Sequence, residues 1–210
     1  LGFKKTYNRP MTETVETVHP YRRREEKIGE DFEKNTLDHQ MEILRDDGVY
    51  RHLDFKGSKG IFYSYSLVTW PGHLAITGDI ANGYIFRRIH DMFEFFATDR
   101  NINPQYWGEK CIGSPSPIEE HSEEMFHLSV REHLCEDQTG YEEDKLVAIR
   151  ADWDNHVRGY DVHYRDQAYD ALRSFESNGY RFTDFWEMEF QQYDISFLLA
   201  CYAIRKGVKT

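Results

Sequence analysis

The 210-residue sequence contains few cysteines and no long apolar run. Its three cysteines, Cys111, Cys135 and Cys201, are widely spaced and form no Cys-x-x-Cys pair. This pattern argues against a disulfide framework and against a structural zinc site, and it favours a reducing compartment. The longest apolar candidate, residues 195–204, is about half the ~20 residues that a membrane-spanning helix needs. We therefore expect no membrane association.

Motifs of the common enzyme classes are also missing from the sequence. The chain has no Gly-x-Ser-x-Gly, no Walker loop, no Gly-x-Gly-x-x-Gly and no zincin helix. We therefore predict no catalytic residue and no cofactor, and a non-enzymatic role is favoured.

Negative charge is abundant, and it is concentrated in the second half of the chain. The formal net charge is -11, and residues 111–210 hold 20 Asp/Glu against 10 Lys/Arg. Such a surface repels phosphates, so we expect no binding of duplex DNA by this half. An acidic surface is suited instead to the basic cleft of a partner protein. Aromatic residues make up 15% of the chain, which is typical of a packed core and not of disorder.

Residues 37–110 alternate between apolar and polar positions and are interrupted by turn signals. Asp47-Gly48, Pro71-Gly72 and Asn82-Gly83 each mark a tight turn. Because the segments between them are too short for crossover helices, the strands should be antiparallel. The sequence therefore predicts an α+β fold, with a meander of three to five short strands packed against helices and a mainly helical C-terminal half.

Three segments are expected along the chain. Residues 1–36 are predicted to form a polar N-terminal arm with a short helix near its end, and Met11 is a candidate native start that would make residues 1–10 an upstream remnant. Residues 37–110 should form the sheet with one helix. Residues 111–210 should form an acidic helical half that packs on the sheet as a single domain.

Within the helical half, local signals predict three helix boundaries. Ser116 and Pro117 are typical of an N-cap and a first helical residue. A further helix is expected over residues 182–190, and Gly207 is expected to end the last one.

Two groups of polar and aromatic residues are candidate sites. Trp70 and His73 flank a Pro-Gly turn and, with Arg87, could line a small pocket that stacks on a base or a sugar. Asp152, Asp154 and His156 begin a polar cluster that extends to residue 163 and are weak candidates for metal ligands. Helical spacing would splay these three side chains, so a polar helix end is the favoured interpretation.

Several separated motifs carry a resemblance to a known family. The segments LDHQMEILRDDGVYRHLDF, TWPGHLAITGDI, DMFEFF and INPQYWGEK resemble a family of uncharacterised proteins encoded by tailed bacteriophages and prophages, most clearly over residues 37–110. The resemblance implies a phage accessory protein that acts in the cytoplasm of the bacterial host. It supplies no catalytic residue.

The leading hypothesis is therefore a protein that binds and inhibits a host protein, such as a defence nuclease, in the manner of an anti-CRISPR protein. Its acidic surface would occupy a nucleic-acid-binding cleft, with exposed aromatic residues as anchors. The candidate interface residues are Tyr106, Trp107, Glu119, Glu120, Glu123, Glu124, Glu142, Glu143, Asp144 and Trp186. One alternative is a small-molecule, nucleotide or metal-dependent enzyme with its pocket near Trp70–His73 or Asp152–His163. Another is a structural or assembly protein that acts by oligomerising.

Overall fold

The segments in which apolar and polar residues alternate form one antiparallel sheet. The computed structural model describes residues 20–58, 60–97, 101–136, 140–188 and 190–209, so the predictions for residues 1–19 lie outside the described residues. The strands are β1 (His39–Asp47), β2 (Tyr50–Gly57), β3 (Gly60–Trp70), β4 (His73–Gly78), β5 (Ala81–Arg87) and β6 (Cys111–Gly113). They lie in sequence order, and each is antiparallel to its neighbours.

Helices account for most of the remaining described residues. They are α1 (Pro20–Asn35), α2 (Met92–Ala97), α3 (Pro104–Gly108), α4 (Glu123–Glu136), α5 (Glu143–His156), α6 (Arg165–Ser174) and α7 (Ile195–Lys209). Short 3₁₀ helices cover Val157–Gly159 and Phe185–Glu187, and β7 (Glu119–His121) and β8 (Gln191–Tyr193) form a separate two-stranded sheet. The predicted α+β class is confirmed, with the helices enriched in the C-terminal half. Among the described residues, no helix has the length and apolar character needed to cross a bilayer.

The contacts divide the described chain into two compact units. The sheet unit comprises residues 20–120 and 193–209, and the helical unit comprises residues 121–192. This division differs from the predicted three segments in a single domain. Residues 20–35 are a helix whose Phe32 is fully buried, not a loose arm, and α7 belongs with the sheet instead of with the helical half.

The core of the sheet unit lies between the inner face of the sheet and α7. Apolar side chains that alternate along β2 to β5 are buried there, and the buried residues of α7 include Phe197, Leu198, Cys201 and Ile204. Gly207 is inside α7 and does not end it, in contrast to the prediction. A Cβ atom at this position would collide with Leu67 Cδ1, so the glycine permits close approach of the helix to the sheet.

The helical unit has its own aromatic core, which is centred on Trp153. Its ring lies 5.0 Å from that of Phe182, 5.2 Å from Phe175 and 6.1 Å from Phe126, measured between centroids. These contacts place apolar stripes of α4, α5 and α6 together. Apolar residues that are three or four positions apart in the sequence lie on one face of each helix, and this face is buried in the aromatic core.

Two predicted helix boundaries in this region are wrong. Helix α4 begins at Glu123 and not at Pro117, because the intervening residues form β7, and Ser122 Oγ caps the helix by accepting from Met125 N at 3.3 Å. The predicted helix over residues 182–190 does not form: among the described residues of this range, helical structure is limited to the 3₁₀ helix Phe185–Glu187, which follows Asp184 in a left-handed conformation.

Candidate functional site

Trp70 and His73 meet at the tight turn between β3 and β4. Gly72 supplies the positive φ of +77° that this turn requires. The two rings stack almost in parallel, with centroids 4.9 Å apart and an angle of 9° between their planes. His73 Nδ1 lies 2.9 Å from the carbonyl oxygen of Pro71. Because a carbonyl only accepts, Nδ1 is the protonated nitrogen, and this bond fixes the orientation of the imidazole.

Arg87 lies beside this pair, as the third residue of the predicted pocket. It is the register partner of His73 across β4 and β5. The next residue, Arg88, donates its backbone N–H to Gly72 O at 3.2 Å, so both arginines lie at the same end of the sheet as the turn. Both side chains are exposed, and within the described parts of the chain neither one takes part in an ion pair.

The outer face of the sheet continues from this point as a partly exposed surface. Val68, Ala75 and Ile85 are cross-strand neighbours and form an apolar row. The next row toward the opposite end of the strands is polar, because Ser66 Oγ donates to Asp54 at 2.5 Å and Lys56 pairs with the same carboxylate at 2.9 Å. These contacts hold the pKa of Asp54 below its usual range, with Lys56 as the largest cause.

The structure distributes the predicted acidic interface residues over three elements. Glu119 and Glu120 are in β7, Glu123 and Glu124 are in the first turn of α4, and Glu143 and Asp144 are in the first turn of α5, which Glu142 immediately precedes. Near the start of α4, Phe126 packs near Trp153 of α5, and near the end of α4 the Leu134 carbonyl oxygen accepts a hydrogen bond from Arg150.

Of the three predicted aromatic anchors, one is buried. Trp107 is fully buried and packs edge-on against Phe96 at 4.8 Å, so the prediction that it is exposed is wrong. Asn103 and Pro104 explain this placement, because they start α3 and direct one face of that short helix into the core. Tyr106 is 36% exposed with Lys110 Nζ 4.7 Å from its ring centroid, and Trp186 is 64% exposed.

Trp186 lies at a cleft in the helical unit that sequence patterns do not indicate. The cleft has a volume of about 330 Å³, and its lining includes His121, Arg165, Tyr169, Trp186, Glu187 and Met188. The Arg165 guanidinium lies 5.6 Å from the Tyr169 ring centroid. His121 Nε2 donates to Val162 O at 2.9 Å, which fixes its ring at the edge of the cleft. The lining combines aromatic, cationic and anionic groups and therefore suits a partner side chain or a small polar ligand.

The predicted metal candidates do not converge. Ser177 Oγ donates to Asp152 at 2.5 Å, and His156 Nε2 donates to Ala171 O at 3.0 Å. Within the residues that the structure describes, no three His, Cys, Asp or Glu side chains are grouped to hold a metal ion. These hydrogen bonds instead connect the end of α5 to α6 and the loop after it.

Comparison with known proteins returned no similar protein: no family model, no curated protein and no solved structure matches this chain.

Proposed function

We propose that this chain is a binding protein whose helical unit binds a positively charged protein partner. Residues 121–192 contain 17 Asp/Glu and 7 Lys/Arg, so nearly all of the chain's excess negative charge belongs to this unit. Three of its cations are already paired with carboxylates, through Arg150–Glu143, Arg173–Asp170 and Arg181–Glu176. The unit therefore carries a large net negative charge, and opposite charge would accelerate encounter with a basic partner.

The observation that carries the proposal is the exposure of Trp186 on this acidic unit. Trp186 is 64% exposed, and it borders the cleft described above. Tryptophan is among the residues that contribute most to binding when they become buried at an interface. Trp186 would therefore be the anchor, and the excess carboxylates of the helical unit would set the preference for a cationic surface.

A finer version of the proposal names the partner as a host nuclease. A nuclease that binds nucleic acid presents a basic channel, and an acidic unit with a protruding aromatic side chain can compete with the nucleic acid for it. This version depends on the proposed resemblance of residues 37–110 to phage-encoded proteins, and under it the inhibitor would act in the cytoplasm of the bacterial host.

The experiment is inhibition of a panel of nucleases with basic channels, measured for the whole chain and for Trp186→Ala. The matched control is Tyr164→Ala, because Tyr164 is also on the helical unit, is 60% exposed and does not line the cleft. We expect Trp186→Ala to weaken inhibition about thirtyfold or more, since anchor residues contribute ~2 kcal/mol or more. Tyr164→Ala should leave it unchanged.

Measuring inhibition at several salt concentrations tests whether charge attraction drives binding. If the acidic unit provides the attraction, the association rate should fall steeply as ionic strength rises. Inhibition that is unchanged both by salt and by Trp186→Ala would refute this mechanism. The absence of inhibition across the panel would refute it as well.

A further inference from the structure

A stacking site on the sheet unit combines stacked aromatic rings with exposed arginines. We define the stacking site as Trp70, His73, Arg87 and Arg88. It combines a flat aromatic pair with two exposed arginines at one end of the sheet. This site goes beyond the proposed function, because it is in the other unit and would bind a ligand of the opposite charge.

The aromatic pair is held in place before any ligand arrives. The Trp70 and His73 rings stack with centroids 4.9 Å apart, and the Nδ1–H of His73 is hydrogen-bonded to Pro71 O. Both residues remain partly exposed on the outer face of the sheet. A rigid, partly exposed aromatic surface loses little conformational entropy when a planar group stacks on it.

The two arginines of the site differ from other arginines of the sheet unit. Arg45 is paired with Asp47 at 3.2 Å, Arg51 with Asp91 at 2.7 Å, and Arg24 with Glu120 at 3.9 Å. In the described chain, by contrast, no carboxylate lies within ion-pair distance of Arg87 or Arg88. The positive charge at this end of the sheet is therefore available to an anion.

From these observations we propose that the stacking site binds single-stranded nucleic acid. One base stacks on the Trp70–His73 pair, and Arg87 and Arg88 contact adjacent phosphates. Base stacking on aromatic side chains is the usual means of binding unpaired bases, whereas a duplex hides the base faces. The unit that carries the site has 18 Asp/Glu and 16 Lys/Arg in residues 20–120 and 193–210, so its own charge opposes a polyanion only weakly.

The intrinsic fluorescence of Trp70 provides a direct measurement. The chain has four tryptophans, of which Trp107 and Trp153 are buried, so Trp186→Phe leaves Trp70 as the remaining exposed reporter. The experiment titrates the full-length Trp186→Phe chain with a 12-nucleotide oligo(dT) strand, an oligo(U) strand and a duplex. We expect saturable quenching by the single strands and none by the duplex.

Salt dependence tests the role of the arginines. Two phosphate contacts predict a slope of about -1.4 in a plot of log affinity against log salt, which is a roughly sevenfold loss between ~50 and ~200 mM. The double substitution Arg87→Gln/Arg88→Gln should bring the slope close to zero. Arg45→Gln is the matched control, since Arg45 is an exposed arginine of the same sheet that is not in the site, and it should keep the slope.

A second variant tests stacking. Trp70→Leu should weaken binding about fivefold or more, measured by anisotropy of a labelled strand, because each stacked base is worth ~1 kcal/mol or more. Circular dichroism of each variant verifies that it is folded. Equal affinity for duplex and single strand, or an unchanged salt slope in the folded double arginine variant, would overturn the proposal. Absence of saturable quenching by any single strand would overturn it as well.

Discussion

Gly207 provides a sharp test of how the sheet unit is packed, because two physical effects predict opposite results for Gly207→Ala. Glycine inside a helix costs about 1 kcal/mol relative to alanine, so helix propensity alone predicts that the substitution stabilises α7. In this structure, however, the new Cβ atom would collide with Leu67 Cδ1 and would lie 3.1 Å from Phe55 Cζ. Both neighbours are buried side chains of the sheet.

The steric effect should be larger than the propensity effect. Extra methyl groups in a packed core cost ~1–3 kcal/mol, because side chains and backbone must move to accommodate them. Leu67 is fully buried and Phe55 nearly so, and both belong to the hydrophobic core of the sheet unit, where a moving side chain must displace its neighbours. We expect the upper part of that range, which leaves a net loss of about 1–2 kcal/mol in the free energy of unfolding.

The assay is thermal unfolding followed by circular dichroism, with urea unfolding as a second measurement. A loss of this size should lower Tm by roughly 2–8 °C for a chain of this length. Gly159→Ala is the matched control, because a Cβ atom there meets nothing within 4 Å, and its Tm should stay the same or rise slightly. If Gly207→Ala raised Tm as much as the control or more, the close approach of α7 to the sheet would be refuted.

Two further predictions concern polar groups in the sheet unit. Tyr65→Phe should leave the free energy of unfolding unchanged or raise it by about 1 kcal/mol in urea, because the buried hydroxyl has no hydrogen-bond partner among the described residues; a loss of more than ~1 kcal/mol would contradict this. Asp91→Asn should lower it by about 1–3 kcal/mol at pH 7, because the Asp91 carboxylate accepts two hydrogen bonds from Arg51, at 2.7 and 2.8 Å. Arg51 holds the pKa of Asp91 below its usual value, so this stabilisation is present above pH ~4 and is lost as the pH falls through the lowered pKa. The difference in free energy of unfolding between wild type and Asp91→Asn, measured in urea, should therefore be smaller at pH 3 than at pH 7. An equal difference at the two pH values would refute the ion pair.

The sheet could be predicted from the sequence because the residues that determine each strand pair are close together in the chain. Alternating residues and turns such as Pro71-Gly72 determine both the strands and their antiparallel pairing, since a hairpin turn sets the register. The same locality brought Trp70 and His73 together, because they flank one turn. Strand β6 could not be predicted, because it has three residues and pairs with β5 from beyond two helices.

The remaining differences arise where tertiary contacts override local signals. Ser116 and Pro117 carry a valid helix-start pattern, but β7 pairs with β8 and delays the helix to Glu123. The cleft could not be found from the sequence, because its lining comes from residue 121, the first half of α6, residues 186–188 and residues 190–191. For Trp107 a signal did exist: Asn103 and Pro104 form a capped helix start, and Trp107 follows Pro104 on the same face.

The charge of the two units sets a limit on how the stacking site can work. A chain with net charge -11 repels a polyanion at long range, and only two exposed arginines at the site oppose that repulsion. Phosphate contacts alone therefore cannot supply strong binding, and the Trp70–His73 pair must provide most of the affinity. This reasoning requires a shallow salt dependence that coexists with strong sensitivity to Trp70. A steep salt slope in the wild-type chain would mean that more cations than Arg87 and Arg88 contact the strand, and that stacking is not the main source of affinity.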